Sequence, residues 1–209
     1  EDAQSLVFDA ASLFERDKFS GYDLIEGGTR ANLGVRYTGS FGDGWTASGI
    51  FGQSYHLAGN NPYASPNLVN AGAFSGLETD VSDFVGYVDL DTPVGLKFFA
   101  GGRFDERTFE TRRAEIGGST AIGTTKLSAT YAFIQKQPLY GFDIDREEIR
   151  LSASNKLSEN WRIFGSGTYD LNSNTLATTR IGFGYGDECF TYMLTFARDE
   201  NTRNHKVDY

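Results

Sequence analysis

Lys126-Leu-Ser-Ala-Thr-Tyr-Ala-Phe-Ile134 alternates without a break. Leu127, Ala129, Tyr131 and Phe133 fall on one side, and Lys126, Ser128, Thr130 and Ala132 on the other. Successive side chains of a strand point to opposite faces, so this period of two predicts a strand with one apolar and one polar face. The same pattern recurs on both sides of it. Between Arg30 and Gly39, Ala31, Leu33, Val35 and Tyr37 alternate with Asn32, Gly34, Arg36 and Thr38. Between Glu147 and Lys156, Ile149, Leu151 and Ala153 alternate with Arg150, Ser152 and Ser154. Thr175–Gly184 and Cys189–Asp199 read alike, and less regular strands are expected at Trp45–Tyr55, Asp83–Asp91, Lys97–Asp105, Phe109–Gly118 and Trp161–Leu171. Helical spacing is sustained nowhere.

The connectors differ between the two edges of such a sheet. Tight ones are expected at Ser40–Gly44, Thr92–Gly95, Leu157–Asn160 and Gly186–Glu188, all on one edge. Long ones, Leu57–Ser82 and Gln135–Asp145, fall on the other, with short hairpins at Glu106–Thr108 and Asn172–Asn174. Outer-membrane barrels have this asymmetry of short periplasmic turns and long outer loops. A weak repeat at an offset of about 65 residues maps Phe99, Gly102, Phe104, Asp105, Ile116 and Gly117 onto Phe164, Gly167, Tyr169, Asp170, Ile181 and Gly182.

Composition supports strands. Gly is 25 of 209 residues, aromatics are 14%, Pro is 4 and Met is 1. Rich aromatic content with few prolines suits closely paired strands. The net charge of −9 opposes the phosphate attraction that nucleic-acid binding needs. The longest stretch free of Asp, Glu, Lys and Arg, Gly44–Leu77, is interrupted by Pro62 and Pro66 and is not apolar, so a bilayer can be met only by strands. Three features favour lipid on one face. The polar row carries Arg36, Lys126, Arg150 and Arg180 among Ser, Thr and Gly, which suits a hydrated lumen better than a packed core. Aromatics such as Trp45, Tyr55, Phe104, Trp161 and Tyr185 cluster near strand ends, where membrane barrels carry girdles. Strands of about ten residues match the hydrocarbon thickness. The expected fold is all-β: an antiparallel up-and-down transmembrane β-barrel, with about ten strands of a larger barrel. Residues 1–209 then form one partial outer-membrane barrel domain, with strands from about 30 to 199, a leading loop or strand over 1–29 and the start of a truncated strand over 200–209.

The segment Leu13-Phe14-Glu-Arg-Asp-Lys-Phe19-Ser20-Gly21-Tyr-Asp23 resembles the LF…RFSG-x-D segment of the LptD (Imp/OstA) family of lipopolysaccharide-assembly barrels. Trp161–Asn174 is similar to that family's W-x-I…Y-D-x-N-x-N hairpin, and Gly182–Ala197 to its G-x-x-Y…C strand pair. The resemblance covers Leu13 to Arg198. It implies a C-terminal portion of a larger barrel in the outer membrane of a Gram-negative bacterium. It further implies delivery of lipopolysaccharide to the outer leaflet with an LptE-type plug lipoprotein in the lumen, together with periplasmic lipopolysaccharide-transport bridge proteins. No reaction and no cofactor follow from it. Two positions depart from the family pattern: Glu188 stands where some relatives have a second cysteine, and Leu24 follows the motif in place of Arg.

Candidate site residues are few. Cys189 is the single cysteine; it is either a small packed thiol or bonded to a cysteine outside this chain. The resemblance implies a bridge to the periplasmic domain, where disulfides persist. Arg36, Arg150 and Arg180, with Arg103 as a weaker candidate, are expected to face the lumen and meet a partner protein or anionic headgroups. His56 and His205 are the only histidines, and no Cys/His cluster has metal spacing. Asp143, Asp145, Glu147 and Glu148 form a carboxylate-rich mouth that a hard cation could touch. The competing readings are a passive porin-like channel, a small membrane protease built on His56, and a soluble all-β binding domain.

Overall fold

The computed structural model describes residues 8–15, 28–64 and 74–200. Ten strands follow one another: β1 Thr29–Phe41, β2 Trp45–Ala58, β3 Phe84–Asp91, β4 Leu96–Phe104, β5 Thr111–Ile122, β6 Thr125–Ile134, β7 Arg146–Lys156, β8 Trp161–Asp170, β9 Thr175–Gly186 and β10 Thr191–Asp199. Each pairs antiparallel with the next in one sheet ordered β1 to β10. The only helical turn among the described residues is a 3₁₀ turn at Pro138–Tyr140.

Register converts the alternation into two continuous faces. Val35 lies opposite Phe51, Ala100 opposite Ile116, Ala129 opposite Leu151 and Phe183 opposite Leu194. This face is apolar from β1 to β10, and its large side chains stand exposed among the described residues. Val35 is 73% exposed and Ile181 62%. Aromatic rings border it at both edges. Trp161 and Tyr185 meet at 5.0 Å on the short-turn edge. Phe104 stacks on Phe109 at 4.9 Å on the long-loop edge. An uncovered apolar belt between aromatic girdles is the surface that a bilayer solvates. The opposite face carries Arg36 beside Ile50, Lys97 beside Asp91, and Ser128 beside Ser152, whose hydroxyls bond at 2.6 Å.

The turns explain where strands stop. Gly42 and Gly44 take φ of 58° and 95°, a region closed to most side chains, and so reverse the chain between β1 and β2. The Asp105 carboxylate accepts the Arg107 and Thr108 amides at 2.9 and 2.8 Å. Asp170 does the same for Asn172 and Ser173 at 2.8 and 3.0 Å. The 65-residue repeat therefore has a physical basis at its tips. It has a second one in its strands: Phe99 lies opposite Gly117 and Phe164 opposite Gly182, each ring lying over the partner's bare Cα. A Cβ on Gly117 would meet the Phe99 ring at 2.6 Å.

Several strand boundaries differ from the sequence expectation, the second strand among them, which runs on to Ala58. The fifth strand runs Thr111–Ile122 rather than Phe109–Gly118, because Phe109 has φ of 61° and belongs to the Asp105 turn. The ninth extends to Gly186, and Cys189 precedes the tenth strand instead of opening it. The leading stretch contributes a turn at residues 10–14, not a strand, where it is described. Residues 16–27 and 201–209, which include Phe19, Ser20, Gly21, Asp23 and the expected truncated strand, lie outside the described residues.

The two-faced sheet predicts a depth-dependent asymmetry. Ile116→Arg or Ile181→Arg, on the apolar face, is expected to cost about 2–4 kcal/mol near the bilayer midplane. Ser128→Arg, on the polar face, is expected to leave stability almost unchanged. Denaturant unfolding of the parent barrel in lipid vesicles measures the difference.

Candidate functional site

The polar face is the candidate site, and it has two halves. Over β1–β4 the chain covers it with its own segments. Gly34 and Gly52 lie directly opposite each other, and Leu13 fills the space above them. A Cβ on Gly52 would come within 2.8 Å of the Leu13 side chain, and one on Gly34 within 3.0 Å. Phe8, Ala10, Leu13, Tyr63, Leu77 and Val85 form a buried cluster, with Ile50 packed against it. Each large apolar side chain buried in this way contributes about 1.5–3 kcal/mol. Leu13 of the motif segment is thus at the centre of this cap, whereas Phe14 beside it is half exposed.

Backbone bonds fasten the cap to the sheet. The Phe8 amide donates to the Ser75 carbonyl at 2.9 Å, Ser82 to Ser54 at 2.9 Å and His56 to Asp80 at 2.7 Å. The β2 strand therefore continues its pairing beyond β3 with residues 80–82. Arg103 locks this arrangement. It is 5% exposed, donates to the Ser75 carbonyl at 2.6 Å and lies 3.2 Å from the Asp83 carboxylate. Burial pushes the Asp83 carboxyl up to about 6, and Arg103 only partly offsets this. Next to it, Arg112 pairs with Asp105, whose carboxyl is held well below its ordinary range, chiefly by the Thr108 amide.

The carboxylates of Asp83, Asp105 and Glu106 converge within 4.8 Å. Arg103 and Arg112 already balance two of them. The mouth residues Asp143, Asp145, Glu147 and Glu148 do not form such a group. Asp145 accepts the Lys136 amide at 2.8 Å. Glu147 and Glu148 are consecutive on β7 and so point to opposite faces, and Glu147 accepts the Tyr131 hydroxyl at 3.0 Å. His56 turns Nε2 to the Gly59 carbonyl at 3.1 Å.

Over β6–β9 no segment among the described residues covers the polar face in this way. Arg150 sits opposite Thr130 and Thr168, and Arg180 opposite Ser166. Both are exposed. Arg36 is exposed on β1 and lines a cavity of about 470 Å³ beneath the cap with Tyr87, Phe99 and Arg113. All four arginines singled out in the sequence therefore share the polar face, but Arg103 is committed to the cap. Cys189 is exposed and unbonded within the 187–190 turn on the short-turn edge. Its amide donates to Asp187 at 2.9 Å, which holds the Asp187 carboxyl below its usual value. The sequence reading missed the cap itself. The signal for it was Ile50 and Val85, apolar residues interrupting the polar row.

A sheet with one face for lipid and one for water, the outer edges of β1 and β10 unpaired among the described residues, defines a portion of the wall of a transmembrane β-barrel. Residues 1–143 match the family model described as LptD: LPS transport system D, and the chain belongs to that family. The LPS-assembly protein LptD of Saccharophagus degradans is 24% identical over 225 residues, a span covering all of this chain and 25% of that protein. The chain thus spans about a quarter of the length of the curated relative.

The Arg103 clamp makes a two-part prediction. Arg103→Met removes a charged hydrogen bond, and the Ser82 and Asp83 amides are expected to exchange faster by about 1.5–3 kcal/mol in opening free energy. The Asp83 carboxyl sits above its ordinary 3.8, so the cap is steadier with the proton on. That gain is complete below about pH 3.8 and is lost as pH rises through about 6. With the lowering influence of Arg103 gone, the midpoint is expected to move above 6. Hydrogen exchange across a pH series in detergent reads both effects.

Proposed function

We propose that this chain is part of the barrel wall of an outer-membrane assembly machine that delivers lipopolysaccharide to the outer leaflet of a Gram-negative bacterium. The observation that carries this reading is the combination of family membership over residues 1–143 with a lipid-facing belt backed by a polar, arginine-bearing face. In this reading the polar face is the lumenal wall. Arg36, Arg150 and Arg180 serve it, and an LptE-type plug lipoprotein stands against it. Bridge proteins in the periplasm supply the lipid from the short-turn side. The tight turns on that edge support the orientation, because periplasmic connectors of outer-membrane barrels are short.

Cys189 fits the same arrangement. It is exposed on the short-turn edge and has no second cysteine in this chain to join. A disulfide to a periplasmic domain of the parent protein would tie that domain to the turn between β9 and β10. Cys189→Ser is expected to abolish a mobility difference between reduced and non-reduced parent protein on a denaturing gel. An identical shift in the variant would remove the bridge.

Depletion of the parent protein is expected to stop newly made lipopolysaccharide from reaching the cell surface within a few generations. Modification by an outer-surface lipid A deacylase reads this directly. Normal lipopolysaccharide display with slowed uptake of small solutes would instead establish a porin-like channel.

A further inference from the structure

The cavity of about 470 Å³ beneath the cap reaches from Arg36 on β1 to Arg113 and Glu115 on β5. Neighbouring strands lie about 4.8 Å apart, so it crosses roughly 19 Å of sheet and is a trough, not a round hole. Register lays out its floor. Arg36 lies opposite Ile50, Ile50 opposite Tyr87, Tyr87 opposite Gly101 and Gly101 opposite Glu115. Tyr87 leans over the bare Cα of Gly101, and Phe99 over that of Gly117. A Cβ on these glycines would meet the two rings at 3.0 and 2.6 Å. The ring centroids are 6.2 Å apart and their planes lie within 21° of parallel, so together they make one aromatic floor in the middle of the trough. Phe8 and Ala10 of the cap line it as well.

The charged groups along the trough are of both signs, and most are unsatisfied. Asp89 accepts the Ser48 hydroxyl. The side chains of Arg36, Arg113 and Glu115 have no hydrogen bond and no ion pair among the described residues. This pattern selects among ligands. An acyl chain would take water from these charges and return nothing. A phosphate calls for cations that converge on it, and Asp89 and Glu115 would repel it. A pyranose answers both parts of the wall. Its C–H face is apolar and settles on the electron-rich face of an aromatic ring. Its hydroxyls both donate and accept, whereas a guanidinium only donates and a carboxylate only accepts. An aromatic floor between guanidinium and carboxylate groups is therefore complementary to sugar, and the length of the trough suits several rings in a row. A concave site of this volume with a few placed polar groups is the usual form of a small-molecule site.

We propose that the trough beneath the cap is an oligosaccharide-binding site, in which Tyr87 and Phe99 stack on sugar rings while Arg36, Arg113, Asp89 and Glu115 bond their hydroxyls. The proposal rests on the reading of the polar face as the lumenal wall. The sugar has two possible sources, the saccharide of a glycolipid and a free glycan, and the chemistry of recognition is the same for both.

Titration calorimetry and saturation-transfer NMR on the full-length parent protein, purified in detergent, test it. The probe is the lipid-free oligosaccharide that mild acid releases from the lipopolysaccharide of the same cells. Binding is expected, with saturation passing chiefly to ring C–H protons. Tyr87→Leu with Phe99→Leu is expected to weaken it at least tenfold, whereas Phe99→Tyr, which keeps the ring, stays within twofold. Both rings also cover glycines, so a second pair of changes guards against misfolding. Arg113→Gln with Glu115→Gln leaves the rings in place and is expected to weaken binding at least fivefold while the heat-modifiable barrel persists on gels. No binding, binding unchanged in the folded variants, or equal binding of pyrophosphate would each overturn the proposal. The source is read in cells with p-benzoylphenylalanine at Ala11, which lines the same cavity. An adduct to intact lipopolysaccharide assigns the site to the glycolipid, and an adduct to a lipid-free glycan assigns it to a free one. A polypeptide adduct alone, or none, would overturn the proposal. Loss of the delivery reading is seen separately: lipopolysaccharide display that survives depletion removes that function, while the titration and its variants stand.

Discussion

Hydrocarbon offers no hydrogen bonds, so every backbone amide and carbonyl within it must find a partner in the protein. In this chain each strand meets that demand through its two neighbours, and β1 and β10 each have a neighbour on one side only. Everything else about the sheet follows from the constraint. Pairing fixes the register, register sorts the side chains, and the sorting leaves a belt from Val35 to Phe196 for lipid and a row from Arg36 to Thr195 for water. One hydrogen-bond ladder therefore separates two solvents across a single layer of backbone.

The polar layer is not uniform. Where Ile50 and Val85 interrupt it, the chain folds its own apolar residues over them, and the glycines Gly34 and Gly52 let Leu13 come down onto the backbone. The buried Arg103 then ties residues 75 and 83 to β4. Burying a guanidinium and a carboxylate is expensive, and such pairs more often define one arrangement than add stability. Here the arrangement defined is the path of the connection between β2 and β3 across the sheet.

The strands were legible because alternation is imposed directly by the two solvents. Lys126–Ile134 and Trp161–Asp170 were readable nearly residue for residue. The start of β5 was not, because the left-handed backbone at Phe109 is set by the Asp105 turn and not by hydrophobicity. The cap was hidden for a different reason. Phe8, Leu13, Tyr63 and Leu77 come from connectors without periodicity, and only contact with Ile50 and Val85 gives them a common face. Arg103 looked equivalent to Arg150 and Arg180 in sequence, since all three fall on the polar row. What separates it is Asp83, twenty residues away and brought beside it by the pairing of β3 with β4.

The rings lying over bare Cα atoms carry a consequence for how the wall is built. Tyr87 over Gly101, Phe99 over Gly117 and Phe164 over Gly182 each join consecutive strands. A slip of one residue would lift the ring off its glycine by carrying it to the other face of the sheet. Each of these three strand pairs thus carries its own key to alignment and needs no third strand to find it. A wall assembled two strands at a time can check its alignment at these places before the next strand arrives.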